Sequence, residues 1–287
     1  MRRKVTLVLI LLVSIVLGEE LKHERHDIPY KGEHELDVSI AFGLGRLNIK
    51  NCTDENFLLR SEMIYSHEYY RPNVVYKVLA NRGRLRLETK KFAKDEVYSR
   101  DKSRHYTDKN TWDLEFTTKI PSTYEIDLGL GEGLLNFSNI RLQDLRLQCG
   151  LSDVKMNFNV ANQENLRTMN ISTGLGSVEI RGLGYANMER FDIECGLGAT
   201  SLYFDGKAQQ DARGKVRVGL GSVKIIMPDD VAVEVRAESS FLSSLDLRGF
   251  DRVGEKIYRS GNWRSAKRKI YMEIEVGLGS VDFQWLD

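Results

Sequence analysis

A Gly-Leu-Gly corner set inside an apolar alternation recurs along this chain and narrows the fold more than any other feature. It stands at Gly43-Leu44-Gly45, Gly129-Leu130-Gly131, Gly174-Leu175-Gly176, Gly196-Leu197-Gly198, Gly219-Leu220-Gly221 and Gly277-Leu278-Gly279, with a seventh copy, Gly150-Leu151-Ser152, that carries Ser in place of the second Gly. From Gly129 to Gly219 the copies start 21, 24, 22 and 23 residues apart. A fixed period in this range is the mark of a solenoid built from one supersecondary unit per repeat.

The positions around the corner show what the unit is. Three residues before the first Gly stand Ile40, Ile126, Leu147, Ile171, Ile193, Val216 and Ile274, and one residue before it Phe42, Leu128, Cys149, Thr173, Cys195, Val218 and Val276. Four and six residues after it most copies are apolar again, as in Val223 and Ile225. Polar residues such as Gln148, Glu194 and Arg217 lie between. That is two half-buried strands joined by a bend. Leu follows the first Gly in every copy, and we expect Leu44, Leu130, Leu151, Leu175, Leu197, Leu220 and Leu278 to face inward as a core ladder. The second Gly is expected to supply a positive φ without steric cost. Stacked coils repeat at about 4.8 Å. Cys149 and Cys195, two coils apart on one rung, should then be about 9–10 Å apart, beyond the roughly 7 Å limit for Cα atoms joined by a disulfide. Two buried free thiols are expected.

The rest of the chain divides around this repeat. Met1-Arg2-Arg3-Lys4 followed by the apolar run Val5 to Leu17 reads as an export signal over residues 1–18. The run is short for a membrane span, which needs about 20 apolar residues, so cleavage is expected rather than an N-terminal anchor. Residues 19–34, charged and containing His23, His26 and His34, read as a mobile leader. A strand-rich domain is expected over 35–128, with strands at Phe57–Tyr65, Asn73–Leu79, Arg84–Thr89, Trp112–Lys119 and Tyr124–Leu128. Phe92 to Asn110 is a charged excursion. The solenoid repeats occupy 129–287, continuous with the preceding domain. Within them, Phe241 to Leu247 takes the place of one glycine corner, residues 249–265 read as a loop, and Trp285 near the end is placed to cap the stack.

Catalytic readings are weak. With 42 Lys and Arg against 41 Asp and Glu, net charge +1, there is no global field to gather nucleic acid. Gly129 to Gly133 superficially resembles a nucleotide loop, but that chemistry needs a helix N-terminus after the glycines, and a strand follows here. All five His lie before residue 106 (His23, His26, His34, His67, His105), so the corner serines Ser177, Ser222 and Ser280 have no base partner within the repeats. Outward acids (Asp127, Asp153, Glu179, Asp192, Glu194, Asp246, Glu275, Asp282) are interspersed with Lys155, Lys224 and Arg217 in the manner of a solvated face. A carboxylate pair of the glycan-cleaving kind remains the alternative. No catalytic, cofactor or metal residues are assigned.

The opening Leu36-Asp37-Val38 through Gly43-Leu44-Gly45-Arg46-Leu47-Asn48-Ile49, the segment Arg71-Pro72-Asn73-Val74-Val75-Tyr76 and the Gly-Leu-Gly-Ser repeats resemble the bacterial toast-rack proteins. Their C-terminal region is similar to that of the cell-wall-active-antibiotic-response proteins. The resemblance implies an all-β stacked architecture and a cell-envelope setting, and it brings no catalytic residues. Relatives with this type of domain are linked to envelope-stress regulation, often with transmembrane helices, whereas this chain has only the signal-like segment. The expected fold is all-β, a stacked parallel β-solenoid with corner repeats of about 22 residues. The expected function is that of a non-catalytic exported scaffold, binding or adhesion-like module. It would have no cofactor, an envelope protein or glycan as partner, no nucleic acid, and membrane contact only through an uncleaved N-terminal segment.

Overall fold

The computed structural model describes residues 21–66, 70–91, 110–239 and 243–286. The proposed export signal and most of the charged excursion after Lys91 lie outside them, as do residues 240–242, where the divergent corner was expected.

The repeats form layers, each a single long strand bent at its glycine corner. They are β3 (Glu35–Asn51), β8 (Ser122–Asn136), β9 (Leu142–Asn157), β10 (Leu166–Arg181), β11 (Met188–Tyr203), β12 (Ala212–Met227) and β17 (Arg268–Trp285). All pair in parallel, in that order, with the corners in register: Leu44 on Leu130, then Leu151, Leu175, Leu197, Leu220 and Leu278. Each layer therefore has a first arm before its corner and a second arm after it. Cys149, Thr173 and Cys195 share one rung as the offsets require. All three cysteines are free and buried, and burial pushes the Cys149 thiol up to about 12.

At each end the stack is closed by a layer split into two strands. Beneath β3 lie β6 (Arg82–Lys91) on the first arm and β7 (Asn110–Phe116) on the second. Above β17 lie β13 (Val231–Ser239) and β14 (Ser243–Asp246). The last strand of the chain thus sits between β12 and β13, out of chain order. Antiparallel strands extend both ends. β5 (Tyr70–Leu79) pairs with β6, and β4 (Phe57–Ser66) pairs with β7. β1 (Leu21–Arg25) and β2 (Ile28–Pro29) pair with β4. The hairpin β15 (Phe250–Gly254) and β16 (Ile257–Ser260) adds to β13.

Three expectations change. The leader over 19–34 is not free, since β1 and β2 within it are bonded to β4. A domain boundary between 128 and 129 would cut β8 at its corner, and β3 is itself a full layer of the stack. The expected loop at 249–265 contains the β15–β16 hairpin.

The core lies between the two arms and is closed, from β8 to β12, by a short return turn after each layer. Leu145, Leu147 and Cys149 enter it from the first arm of β9, Val154 and Met156 from the second, and Phe158 from the return. Phe116, Tyr124, Phe137 and Phe158 run through it as a column, with successive centroids 5.2, 5.3 and 5.9 Å apart. In the return turn the buried Asn162 accepts the Leu142 N–H at 3.1 Å and donates to the carbonyls of Leu142 and Ala186 at 2.7 and 3.2 Å. One amide thereby ties three layers together, and its buried polar atoms are satisfied.

Candidate functional site

The corner is the natural first place to look for a site, because its residues recur most strictly. Its geometry answers to the backbone. The side-chain direction does not simply alternate in and out through the bend. The residue before the first Gly points into the core. A Cβ on the first Gly would point along the stack into the layer beneath: at Gly174 it would lie 2.8 Å from the Gly150 carbonyl oxygen, at Gly196 2.6 Å from that of Gly174, at Gly219 2.7 Å from that of Gly196, and at Gly277 2.6 Å from that of Gly219. Leu then points outward. The second Gly again faces the layer beneath, with positive φ at Gly45 (+124°), Gly131 (+132°), Gly176, Gly198, Gly221 and Gly279. Ser152 has no positive φ, and its hydroxyl lies 3.4 Å from the carbonyl oxygens of both Leu128 and Gly129.

The expected inward leucine ladder is therefore overturned. Leu130, Leu151, Leu175, Leu197, Leu220 and Leu278 are exposed, from 39% at Leu130 to 52% at Leu151, and Leu44 is half-buried. They form an external apolar ridge in register. A groove of about 370 Å³ beside it is lined by Leu130, Leu151, Leu175, Arg46, Glu132 and Asp153. The inward phase shifts by one residue across the corner, so burial resumes four and six residues after the first Gly, as at Val178 and Ile180.

A larger cavity, about 500 Å³, opens on the outer face of the first arms. Two rows of side chains from five neighbouring strands line it. Thr168, Arg190, Arg213, Tyr271 and Glu234 stand side by side on β10, β11, β12, β17 and β13, and beside them stand Asn170, Asp192, Lys215, Glu273 and Arg236. Each acid is engaged by a basic neighbour: Asp192 by Arg217 at 2.9 Å, Glu273 by Lys215 at 3.0 Å, and Glu234 by Arg259 at 2.7 Å. Arg213 lies over the Tyr271 ring, 5.2 Å from its centroid, and Tyr271 meets Trp263 edge-on at 5.7 Å.

The outward acids named from the sequence are spread over the stack, and seven of the eight are held by ion pairs or hydrogen bonds. Glu194 and Asp192 share Arg217, Glu275 contacts Lys215, and Asp246 and Asp282 both approach Arg248. Glu179 pairs with Arg181, and Asp153 accepts from the Ser177 backbone N–H and hydroxyl. Among the described residues no group of three or more His, Cys, Asp or Glu is placed to hold a metal ion. His26 pairs with Glu24 at 2.8 Å. Sequence reasoning missed the arginines at 190, 213 and 236 and the role of Tyr271. Aligning the coils would have placed Arg190 beside Arg213, but the order β12–β17–β13 that brings Tyr271 and Arg236 to them has no local signal.

The fold is shared by a solved protein. A candidate cell-adhesion protein from Clostridium sporogenes superposes with a TM-score of 0.52 at 20% identity, over 93% of this chain and 100% of that one. A candidate adhesin from Bacteroides fragilis is more distant, with a TM-score of 0.38 at 11% identity over 93% and 98%. No curated protein sequence matches the chain. The family described as the N-terminal domain of toast_rack, DUF2154, matches residues 17–181, more than half of the sequence, and the stacked parallel layers agree with it: the chain belongs to the toast-rack family.

Proposed function

We propose that this protein is a non-catalytic binding module of adhesion type, exported by its N-terminal apolar segment and working in the cell envelope. The observation that carries this reading is the division of labour in the repeat. The corner glycines from β8 onward are accounted for by close backbone approach between layers. The variable outward positions build a broad, rigid face with a cavity of about 500 Å³ across five strands. Side chains projecting from paired strands are held in place by the sheet, which suits contact with an extended partner. The candidate adhesion protein of the same fold, at 20% identity, is consistent with this setting. A part in envelope-stress regulation would follow if the partner were a membrane sensor.

The test is crosslinking in intact cells followed by capture of the tagged chain. Adducts with envelope proteins or glycans are expected, with captured polysaccharide keeping its chain length. Adducts restricted to cytoplasmic components would contradict the export reading, and shortened polysaccharide would contradict the non-catalytic one.

A further inference from the structure

We propose that the first-arm face between β10 and β13 binds a polysaccharide bearing carboxylates, a chain of uronic-acid type; this rests on the binding-module reading above and names its ligand. The face has a surplus of guanidinium groups whose donors are not spent on protein acids. The three acids lining the cavity are engaged by Arg217, Lys215 and Arg259, as described. Arg213 rests on Tyr271 and makes no ion pair, and Arg236 makes none either among the described residues. Among the described residues Arg190 has Glu189, at 3.8 Å, as its one acidic neighbour within ion-pair distance. A guanidinium presents a planar fork of N–H donors that matches a carboxylate with two parallel hydrogen bonds. An arginine held on an aromatic ring keeps the edges of that fork free while its position is fixed.

The rest of the face selects the kind of anion. Asp192, Glu273 and Glu234 lie among the arginines and can accept hydrogen bonds from hydroxyls, and the Asn170 amide is exposed beside them. A uronic-acid chain carries both hydroxyls and a carboxylate on its rings, so it matches this mixture. A DNA strand carries a phosphate about every 3.4 Å and no hydroxyls along its backbone to donate to these acids, so their repulsion goes uncompensated. A peptide strand would need a free sheet edge for its backbone, whereas these five strands are paired with one another across the site. The volume falls within the roughly 300–1,000 Å³ of small-ligand sites.

The test is a binding titration of the full chain with an oligogalacturonate, alongside a neutral glucan oligomer of equal length and a single-stranded oligonucleotide of equal charge. The wild type is expected to prefer the oligogalacturonate. The double variant Arg213→Ala/Arg236→Ala should lose about 100-fold in affinity at unchanged melting temperature. Arg213→Lys should also weaken binding, because an ammonium lacks the fork. Arg248→Ala, outside the cavity, should bind as the wild type. Equal affinity for the oligonucleotide, full affinity in the double variant, or no binding of the oligogalacturonate would each overturn the proposal. Binding of neutral glucan alone would overturn the carboxylate assignment and leave the binding-module reading standing. Failure with every glycan, together with no crosslinked envelope partner, would overturn both.

Discussion

The seven cornered layers and the two split layers that close the stack solve the same packing problem under different constraints. In a cornered layer the chain passes directly over another backbone at the bend, and a Cβ there would meet the carbonyl oxygen of the layer beneath. From β8 onward the contact is with the neighbour on the β3 side, so the glycines of those layers are set by what each layer lies on. Gly45 lies over Asn110 of β7, and the Asn110 amide donates to the Leu44 carbonyl oxygen at 2.6 Å. Gly43 of the same corner has only the Thr89 Cβ nearby, at 3.9 Å. The split layer β6 and β7 rests on the antiparallel strands β5 and β4 instead of a cornered layer, and it carries no Gly-Leu-Gly. The glycine repeat is thus a record of stacking, and activity need not be invoked for it.

Substitutions can break or sharpen this contrast. Gly198→Ala should do the most damage, since it places a Cβ against the Gly176 backbone at φ +140°. Backbone strain and overpacking together should cost about 4 kcal/mol, read as a lowered midpoint in urea unfolding. Leu147→Ala removes a fully buried side chain from the first arm of β9 and should cost about 3 kcal/mol, enough to separate the core rung from the corner ridge.

At the β3 end the lock is polar. Buried Glu33 accepts the Lys31 N–H and the Tyr76 hydroxyl, both at 2.7 Å. Burial alone would raise its proton affinity, but these hydrogen bonds outweigh that effect and the net shift is downward. A carboxylate lowered in the folded state contributes stability above its unfolded value, and that contribution is lost as pH falls through the lowered folded value. Glu33→Gln should cost about 2 kcal/mol at neutral pH and flatten the acid limb of the melting curve. An acid limb unchanged by the substitution would remove Glu33 from the lock. The smallest effect in this series is expected at the ridge. Leu175→Ser removes a half-exposed side chain and should cost about 1 kcal/mol, with the fold unchanged by circular dichroism.

Much of this was legible in the residues. Period, strand positions and register follow from the alternation, and the Cys149–Thr173–Cys195 rung appears where the offsets place it. The direction of the corner leucines was not legible, because alternation assumes an extended strand and the bend shifts its inward phase by one residue. The insertion of β17 between β12 and β13 was hidden for another reason: it is a choice among long-range pairings with no local mark. The arginine face is hidden with it. Arg213 and Arg236 each read as an ordinary solvated charge until β17 brings Tyr271 beside one and Glu273 beside the other.

The claim that the layer beneath dictates the repeat is tested most directly by comparing the thermal unfolding of Gly43→Ala and Gly129→Ala. Both are first glycines of a corner, and neither has a positive φ. A Cβ at Gly129 falls well inside contact distance of the Gly43 carbonyl oxygen, whereas one at Gly43 meets nothing closer than Thr89. Gly43→Ala should melt within about 0.5 kcal/mol of the wild type, and Gly129→Ala should lose about 2 kcal/mol or more. Equal losses at the two positions would contradict the account and return the glycines to a local requirement of the turn itself.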